Sequence, residues 1–312
     1  MKILVTGGAG FIGSHLCQKL LLQGHEVYCL DNLSSGAHHN ITSLLSNLKF
    51  SFIQHDVKNP IQIEVDQIYN LACPASPYWY QKDPIDTIQT CVLGAINMLE
   101  LAHKTGASIL QTSTSEVYGD PLVSPQSEEY WGNVNPLGPR SCYDEGKRCA
   151  ESLFVNYHKK YGMQVKIARI FNTFGPNLAV DDGRVVSNFI VQALCNNDIT
   201  VYGSGNQTRS FCYVDDTVRG LTALMDTNIA ITSPVNIGNP EELSVTAMAK
   251  KIIQLTNSSS KIRYLDKIED DPSQRKPNID KAGTLLNWRP EVPIDTGLMA
   301  TINYFKEKLK CQ

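Results

Sequence analysis

At 312 residues, 42% of them hydrophobic, the chain can bury a large core, which excludes a disordered or fibrous protein. A net charge of −3 and a pI near 6.2 offer no general attraction to a polyanion or an anionic membrane, and no apolar run approaches the roughly 20 residues of a membrane span. The chain therefore reads as cytoplasmic, with neither nucleic acid nor membrane as partner, and its nine cysteines and seven histidines show neither disulfide nor metal-ligand spacing.

The first predicted element is the apolar strand Lys2–Thr6, which runs directly into Gly7-Gly8-Ala9-Gly10-Phe11-Ile12-Gly13 and a helix over 12–23. Strand, glycine-rich turn and helix in that order form a dinucleotide cradle. One glycine permits the tight turn, one lets backbone N–H groups reach a pyrophosphate, and one lets helix and strand pack closely, while the helix N-terminus adds partial positive charge. The next strand, Val27–Asp31, ends in a carboxylate eighteen residues beyond Gly13. That is where an acceptor meets the adenosine ribose 2′-hydroxyl and repels a 2′-phosphate, so the sequence favours NAD over NADP.

Strands follow at Phe50–His55, Gln67–Ala72, Ser108–Thr114 and Val165–Phe171, with helices over 86–104 and 143–161. This alternation predicts a parallel sheet covered on both faces, with ligands beyond the carboxyl ends of its strands, after Thr6, Asp31, Ala72, Thr114 and Phe171. From Asn172 the pattern turns irregular, punctuated by Gly, Pro, Asn and Asp, until a late strand Pro234–Ile237 and a terminal helix over 291–310. Residues 1–171 with about 212–237 are expected to hold the dinucleotide, and about 172–211 with 238–312 to form a smaller, interleaved substrate lobe. There is no internal repeat.

Tyr143 and Lys147 stand four apart at the start of a predicted helix, so they share a face and the ammonium can stabilise a phenolate. A phenol of pKa near 10 needs roughly 4 kcal/mol of preferential anion stabilisation to act as a base near neutrality. The spacing alone is weak, since it recurs at Tyr78/Lys82 and Tyr304/Lys308. Only the middle pair follows a strand end rich in hydroxyls, Thr112-Ser113-Thr114-Ser115-Glu116.

With the turn Thr6–Gly13, this pair resembles the extended short-chain dehydrogenase/reductases across essentially the whole chain. Within them, Asn70-Leu71-Ala72-Cys73-Pro74-Ala75-Ser76-Pro77, Ser113–Pro121, Tyr143–Arg148, Asp182–Phe189 and Gln207-Thr208-Arg209-Ser210-Phe211 are similar to the UDP-glucuronic acid decarboxylases, or UDP-xylose synthases. The resemblance implies an α/β fold, a Rossmann-type doubly wound parallel sheet with a smaller C-terminal lobe for the UDP-sugar. It also implies a homodimer in which helices 86–104 and 143–161 pair into a four-helix bundle.

The implied reaction oxidises the sugar at C4, loses carbon dioxide from the 4-keto acid, and reduces C4 again with the same NAD. Tyr143 would be the base, Thr114 would hydrogen-bond the same oxygen, Lys147 would fix the nicotinamide ribose and the phenolate, and Glu116 and Arg275 would assist decarboxylation and reprotonation. The resemblance assigns Gly7, Gly10, Phe11, Ile12, Gly13, Asp31, Asn32, Asp56, Val57 and Ala72, with Tyr143 and Lys147, to the cofactor. It assigns Tyr80, Asn172, Arg184, Val185, Tyr202, Gln207 and Arg209 to the substrate, Arg209 as a diphosphate clamp, and no residue to a metal. Without the resemblance, Glu116 is a loop carboxylate, Arg275 a solvated charge, Arg209 half of a surface ion pair, Asn172 a strand-end cap and Asp56 a turn residue.

Two positions depart from that family's pattern: Trp79 stands where histidine is usual, and Asn177 where Gly-Pro is usually followed by arginine. A nucleotide-sugar 4-epimerase or 4,6-dehydratase shares the first oxidation, although a dehydratase is expected to carry an Asp-Glu pair where this chain has Ser115-Glu116. A non-catalytic NAD-binding regulator on the same fold is the remaining alternative.

Overall fold

The computed structural model describes residues 1–227 and 233–310. Residues 228–232 of the predicted 212–237 segment, and Cys311, lie outside the described residues. Seven strands form one parallel sheet: β1 (Lys2–Thr6), β2 (Glu26–Asp31), β3 (Phe50–Gln54), β4 (Gln67–Asn70), β5 (Ser108–Thr114), β6 (Val165–Ile170) and, much later in the chain, Val235–Ile237. Short strands complete the set: β7 (Thr173–Phe174), β8 (Ile199–Tyr202), β9 (Thr208–Ser210), β10 (Cys212–Tyr213), β11, which is Val235–Ile237, β12 (Glu242–Ser244), β13 (Ile262–Leu265) and β14 (Gln274–Arg275). The helices are α1 (Phe11–Leu22), α2 (Pro77–Tyr80), α3 (Pro84–Thr105), α4 (Ser141–Tyr161), α5 (Val185–Leu194), α6 (Val214–Asp226), α7 (Val245–Thr256), α8 (Asp280–Leu286) and α9 (Ile294–Lys310).

The sheet order is β11-β6-β5-β4-β1-β2-β3. Its direction of growth reverses between β1 and β4, and the crevice outside their carboxyl ends is where such sheets bind ligands. The central strands β1, β4, β5 and β6 are largely buried because both faces are covered, and their cores read as apolar runs such as Ile3-Leu4-Val5. Ile3, Val5 and Cys29 face α1, α6 and Trp288, whereas Leu4, Leu30, Ile68 and Ile109 face α3 and α4. Helix α3 begins where the Asp83 side chain accepts the Asp86 N–H and Pro84 follows, and it ends at the left-handed Gly106. Gly146 lets α4 lie close against it, since a Cβ there would stand 2.9 Å from that of Cys91.

The predicted elements of the first half stand within two residues of the observed ones. The irregular reading beyond Asn172 is overturned, because that region contains α5, α6, α7 and α8. Helix α6 packs on the main sheet, while α5, α7 and α9 close a further core of Phe189, Ile190, Met248, Ile252, Leu298 and Phe305 over β8.

Candidate active site

The glycine-rich turn is built by contact rather than by preference. Gly7 has φ +67° and lies 3.0 Å, measured from an added Cβ, from the Ala72 backbone at the end of β4. A Cβ on Gly13 would stand 2.1 Å from the Gly7 carbonyl oxygen, so only glycine lets α1 start there. Gly10 is different: its added Cβ would meet only the Gly7 carbonyl, at 3.1 Å, and otherwise enter open space in the cleft. A cradle open at this point, at the N-terminus of α1, fits a diphosphate.

Asp31 is buried at the end of β2, where its carboxylate accepts the N–H groups of Ala9 (3.0 Å) and Leu33 (2.8 Å). Burial pushes its pKa up, against those donors. Its oxygens retain acceptor capacity toward the cleft, which Asp31 lines with Asn32, Val57, Ala72, Phe11 and Ile12. Asp56 does not line the cleft; it ion-pairs with Lys58 and accepts from Asn32 Nδ2 at 3.2 Å. The residues present therefore fit NAD.

Tyr143, Lys147 and Thr114 line the same cleft, as Asn172 and Arg184 do. The phenol of Tyr143 is buried, its ring stacked on Tyr80 with centroids 5.1 Å apart. Lys147 Nζ donates to the Thr112 carbonyl at 2.9 Å and lies 5.8 Å from the Tyr143 ring centroid. Burial pushes the phenol well above its ordinary pKa, and a hydrogen bond with Thr114 works against it. The protein alone therefore keeps Tyr143 protonated, and further positive charge in the cleft is what can bring the phenol down. Of the other two Tyr-x-x-x-Lys pairs, Lys82 lies over Trp79 and Lys308 over Tyr304.

Glu116 sits in the turn after β5 and is gripped from two directions. Arg140, from the loop before α4, ion-pairs with its Oε2, and Arg275 Nη2 reaches the same oxygen at 3.2 Å. Arg275 is 1% exposed and also donates to the Ser115 carbonyl, so it is no solvated charge. Although burial pushes the Glu116 carboxyl up, Arg140 and Arg275 hold it down at about 2. One helical turn into α4, Asp144 is buried beside them, and there burial and the Glu116 charge push the carboxyl up to about 8. Sequence reasoning missed both Arg140 and Asp144; their positions three residues before and one after Tyr143 were the only signal.

The remaining substrate residues are less gathered. Arg184 is paired with Asp182 (2.5 and 2.8 Å) and lies over Phe11, at 5.8 Å. Val185 is the first residue of α5. Tyr80 lies beneath Tyr143, with a buried hydroxyl that has no hydrogen-bond partner among the described residues. Gln207 Nε2 donates to the Tyr202 carbonyl at 2.7 Å. Arg209 is buried and bound to Asp271 at 2.8 Å. Tyr80, Val185, Tyr202, Gln207, Arg209 and Arg275 do not line the cleft itself. Trp79 does, and so does Asn177, whose amide donates to Ser14 Oγ at 3.0 Å and thereby ties its loop to α1.

A family model described as the NAD dependent epimerase/dehydratase family matches residues 3–238. The chain is 55% identical over 311 residues to UDP-glucuronic acid decarboxylase 1 of Xenopus tropicalis, covering 100% of this chain and 73% of that protein. It is 53% identical to UDP-glucuronic acid decarboxylase 3 of Arabidopsis thaliana, with 99% and 90% covered. Among solved structures, the UDP-glucuronic acid 4-epimerase of Bacillus cereus, in complex with UDP-glucuronic acid and NAD, superposes with a TM-score of 0.89 at 32% identity, with 99% and 100% covered.

Proposed function

The chain belongs to the NAD dependent epimerase/dehydratase family, and we propose that it is a carboxy-lyase that converts UDP-glucuronate to UDP-xylose through a 4-keto intermediate. The observation that carries this reading is Glu116, held ionised between Arg140 and Arg275 in the wall of the cleft that Tyr143 and Thr114 line. An oxidation at C4 needs only the tyrosine, lysine and hydroxyl. A paired carboxylate and guanidinium beside them answer a later need, the loss of one carboxylate and the delivery of one proton.

The chemistry that NAD supplies when bound is reversible two-electron exchange at sugar C4. Gly7, Gly10, Gly13 and the start of α1 would hold its diphosphate, and Asp31 its ribose. Tyr143, as phenolate, takes the proton of the 4-hydroxyl while Thr114 hydrogen-bonds the same oxygen, and Lys147 with the cofactor's positive charge lowers the phenol for that role. The ketone formed is β to the carboxylate, so the C5–C6 bonding pair can pass into an enolate as carbon dioxide leaves. Glu116 and Arg275 serve the protonation at C5, and Tyr143 returns its proton to the C4 oxygen.

The smaller lobe, with Arg184, Val185, Tyr202, Gln207 and Arg209, holds the UDP part. Its forked guanidinium suits Arg209 to a diphosphate, which would displace Asp271. Two copies pair through α3 and α4, a reading supported by the exposed Ile85, Ile88 and Leu93 on α3. The protein works in the cytoplasm; no helix among the described residues is long and apolar enough to cross a membrane.

The test is incubation of the purified protein with UDP-glucuronate, following carbon dioxide and the nucleotide-sugar products. Carbon dioxide with UDP-xylose supports the reading. The C4-inverted glucuronate without carbon dioxide identifies a 4-epimerase, and binding without turnover a regulator.

A further inference from the structure

The proposed reaction has a proton balance that its redox cycle does not close, and the need for a proton route rests on the decarboxylase reading. The proton that Tyr143 takes from the sugar is given back. The carbon–carbon bond lost at C5, however, is replaced by a carbon–hydrogen bond, so each turnover draws one proton from solvent into a buried site.

Among the described residues, Glu116 alone lines both the dinucleotide cleft and a second cavity behind it. The rim of that cavity carries the exposed Asp120, Asn135 and Lys267, and Arg140 and Asp144 line it too. Asp144 is 5% exposed, and its Oδ1 has no hydrogen-bond partner among the described residues. Such a group is costly to bury without a purpose. Arg140 and Arg275 both bind Glu116, and no ion pair joins either of them to Asp144.

We propose that Asp144 is the proton-relay residue of this site, passing a proton from water in the second cavity to Glu116, which delivers it to C5 after carbon dioxide has left. An O–H bond on Asp144 breaks as one forms on Glu116, and the proton joins the electron pair left at C5 by the departing carbon. Solvent then reprotonates Asp144, and no electrons change hands. The charged groups facing Asp144 are Glu116 after β5, Arg140 before α4, Arg275 on β14 and Glu145 on its own helix. The two carboxyls behave as a pair holding one proton at neutral pH, resting on Asp144 because Arg140 and Arg275 ion-pair with Glu116. Glu116 accepts and releases the proton in one concerted passage, so its neutral form does not have to persist.

The test compares wild type, Asp144→Asn and Asp144→Glu with UDP-glucuronate from pH 6 to 10, measuring carbon dioxide and UDP-xylose separately. In Asp144→Asn the yield of UDP-xylose per carbon dioxide should fall at least about 10-fold, with, in its place, the 4-keto pentose nucleotide that forms when solvent protonates the escaped enolate and one equivalent of reduced cofactor. Asp144→Glu should restore it. In wild type that yield should decline above about pH 8. A wild-type yield and pH profile in Asp144→Asn overturns the relay while leaving the decarboxylase reading intact, whereas a wild type that releases no carbon dioxide sinks that reading itself. Should Asp144→Asn not fold, judged by melting and NAD binding, the wild-type profile decides: a yield flat to pH 10 overturns the relay.

Discussion

Two glycines of the same turn should fail for different reasons when a methyl is added. At Gly13 the new Cβ would lie 2.1 Å from the Gly7 carbonyl oxygen and 2.8 Å from the Gly8 Cα, both backbone atoms. Relief requires α1 and the turn to part by on the order of 1 Å, and overpacking of this kind costs about 1–3 kcal/mol. For a chain of this length, at about 2.1 cal/mol/K of unfolding entropy per residue, that lowers the melting temperature by roughly 2–5 °C. At Gly10, φ is −76° and the nearest neighbour of an added Cβ is 3.1 Å away, so Gly10→Ala should melt within about 1 °C of wild type without ligand. Its methyl nevertheless stands in the cradle, and NAD affinity should weaken at least about tenfold, or 1.4 kcal/mol. Calorimetric titration with NAD and thermal melting of both variants separate the two effects. Wild-type NAD affinity in Gly10→Ala would refute the placement of the diphosphate, and unchanged melting in Gly13→Ala would refute the steric clash.

Tyr143→Phe should lower turnover by at least about 10³-fold while NAD still binds, because only the proton acceptor is removed; retained turnover, measured as carbon dioxide release, rules out the base assignment. Glu116→Gln leaves the buried Arg275 without its counter-charge and should cost about 3–5 kcal/mol of stability, read from denaturant unfolding. The same variant should lower both kcat and KM for UDP-glucuronate; a raised KM would contradict a neutralising role for Glu116. Asp144, with its pKa raised in the folded state, stabilises the protein below the ordinary carboxylate range and loses that contribution as pH rises through about 8, by at most about 1.4 kcal/mol per pH unit. Glu116 runs the other way: its contribution is present above pH 4.5 and is lost as pH falls through about 2. Melting of Asp144→Asn should therefore fall less than that of wild type between pH 5 and 8, and parallel curves would refute this.

The first half of the fold is legible in the sequence because its signals are local. Apolar runs such as Ile3-Leu4-Val5 mark strands buried on both faces, and Gly106 and Gly162 sit where α3 and α4 stop. The helices between Asn172 and the terminal α9 are not legible for the opposite reason. The stretch Val185–Leu194 is too apolar for its period to separate helix from strand, and α7 announces itself only through the Ser244 cap on the Ala247 N–H. At the site, the glycines and Asp31 are read from spacing along one βαβ unit. The pairing of Glu116 with Arg140 and Arg275 spans 24 and 159 residues, and no periodicity connects three segments that meet only because β5, the loop before α4 and β14 converge.

That convergence bears on how one fold serves several outcomes. On the proposed mechanism the cradle and the Tyr143–Lys147 pair serve the oxidation at C4 alone, and the groups gathered around Glu116 decide the fate of the ketone. Decarboxylation moves negative charge from the C6 carboxylate to the C4 oxygen. Unopposed arginines near C6 would therefore bind the substrate tightly and oppose the reaction, since interactions stronger in the ground state than in the transition state slow catalysis. On the proposed reading Glu116 prevents this: of the three groups only Glu116 lines the cleft, and Arg140 and Arg275 behind it already carry a counter-charge, so that a substrate carboxylate would be gripped weakly and left free to depart. Glutamine at 116 would release that grip onto the substrate, and tighter binding with slower turnover is the expected consequence.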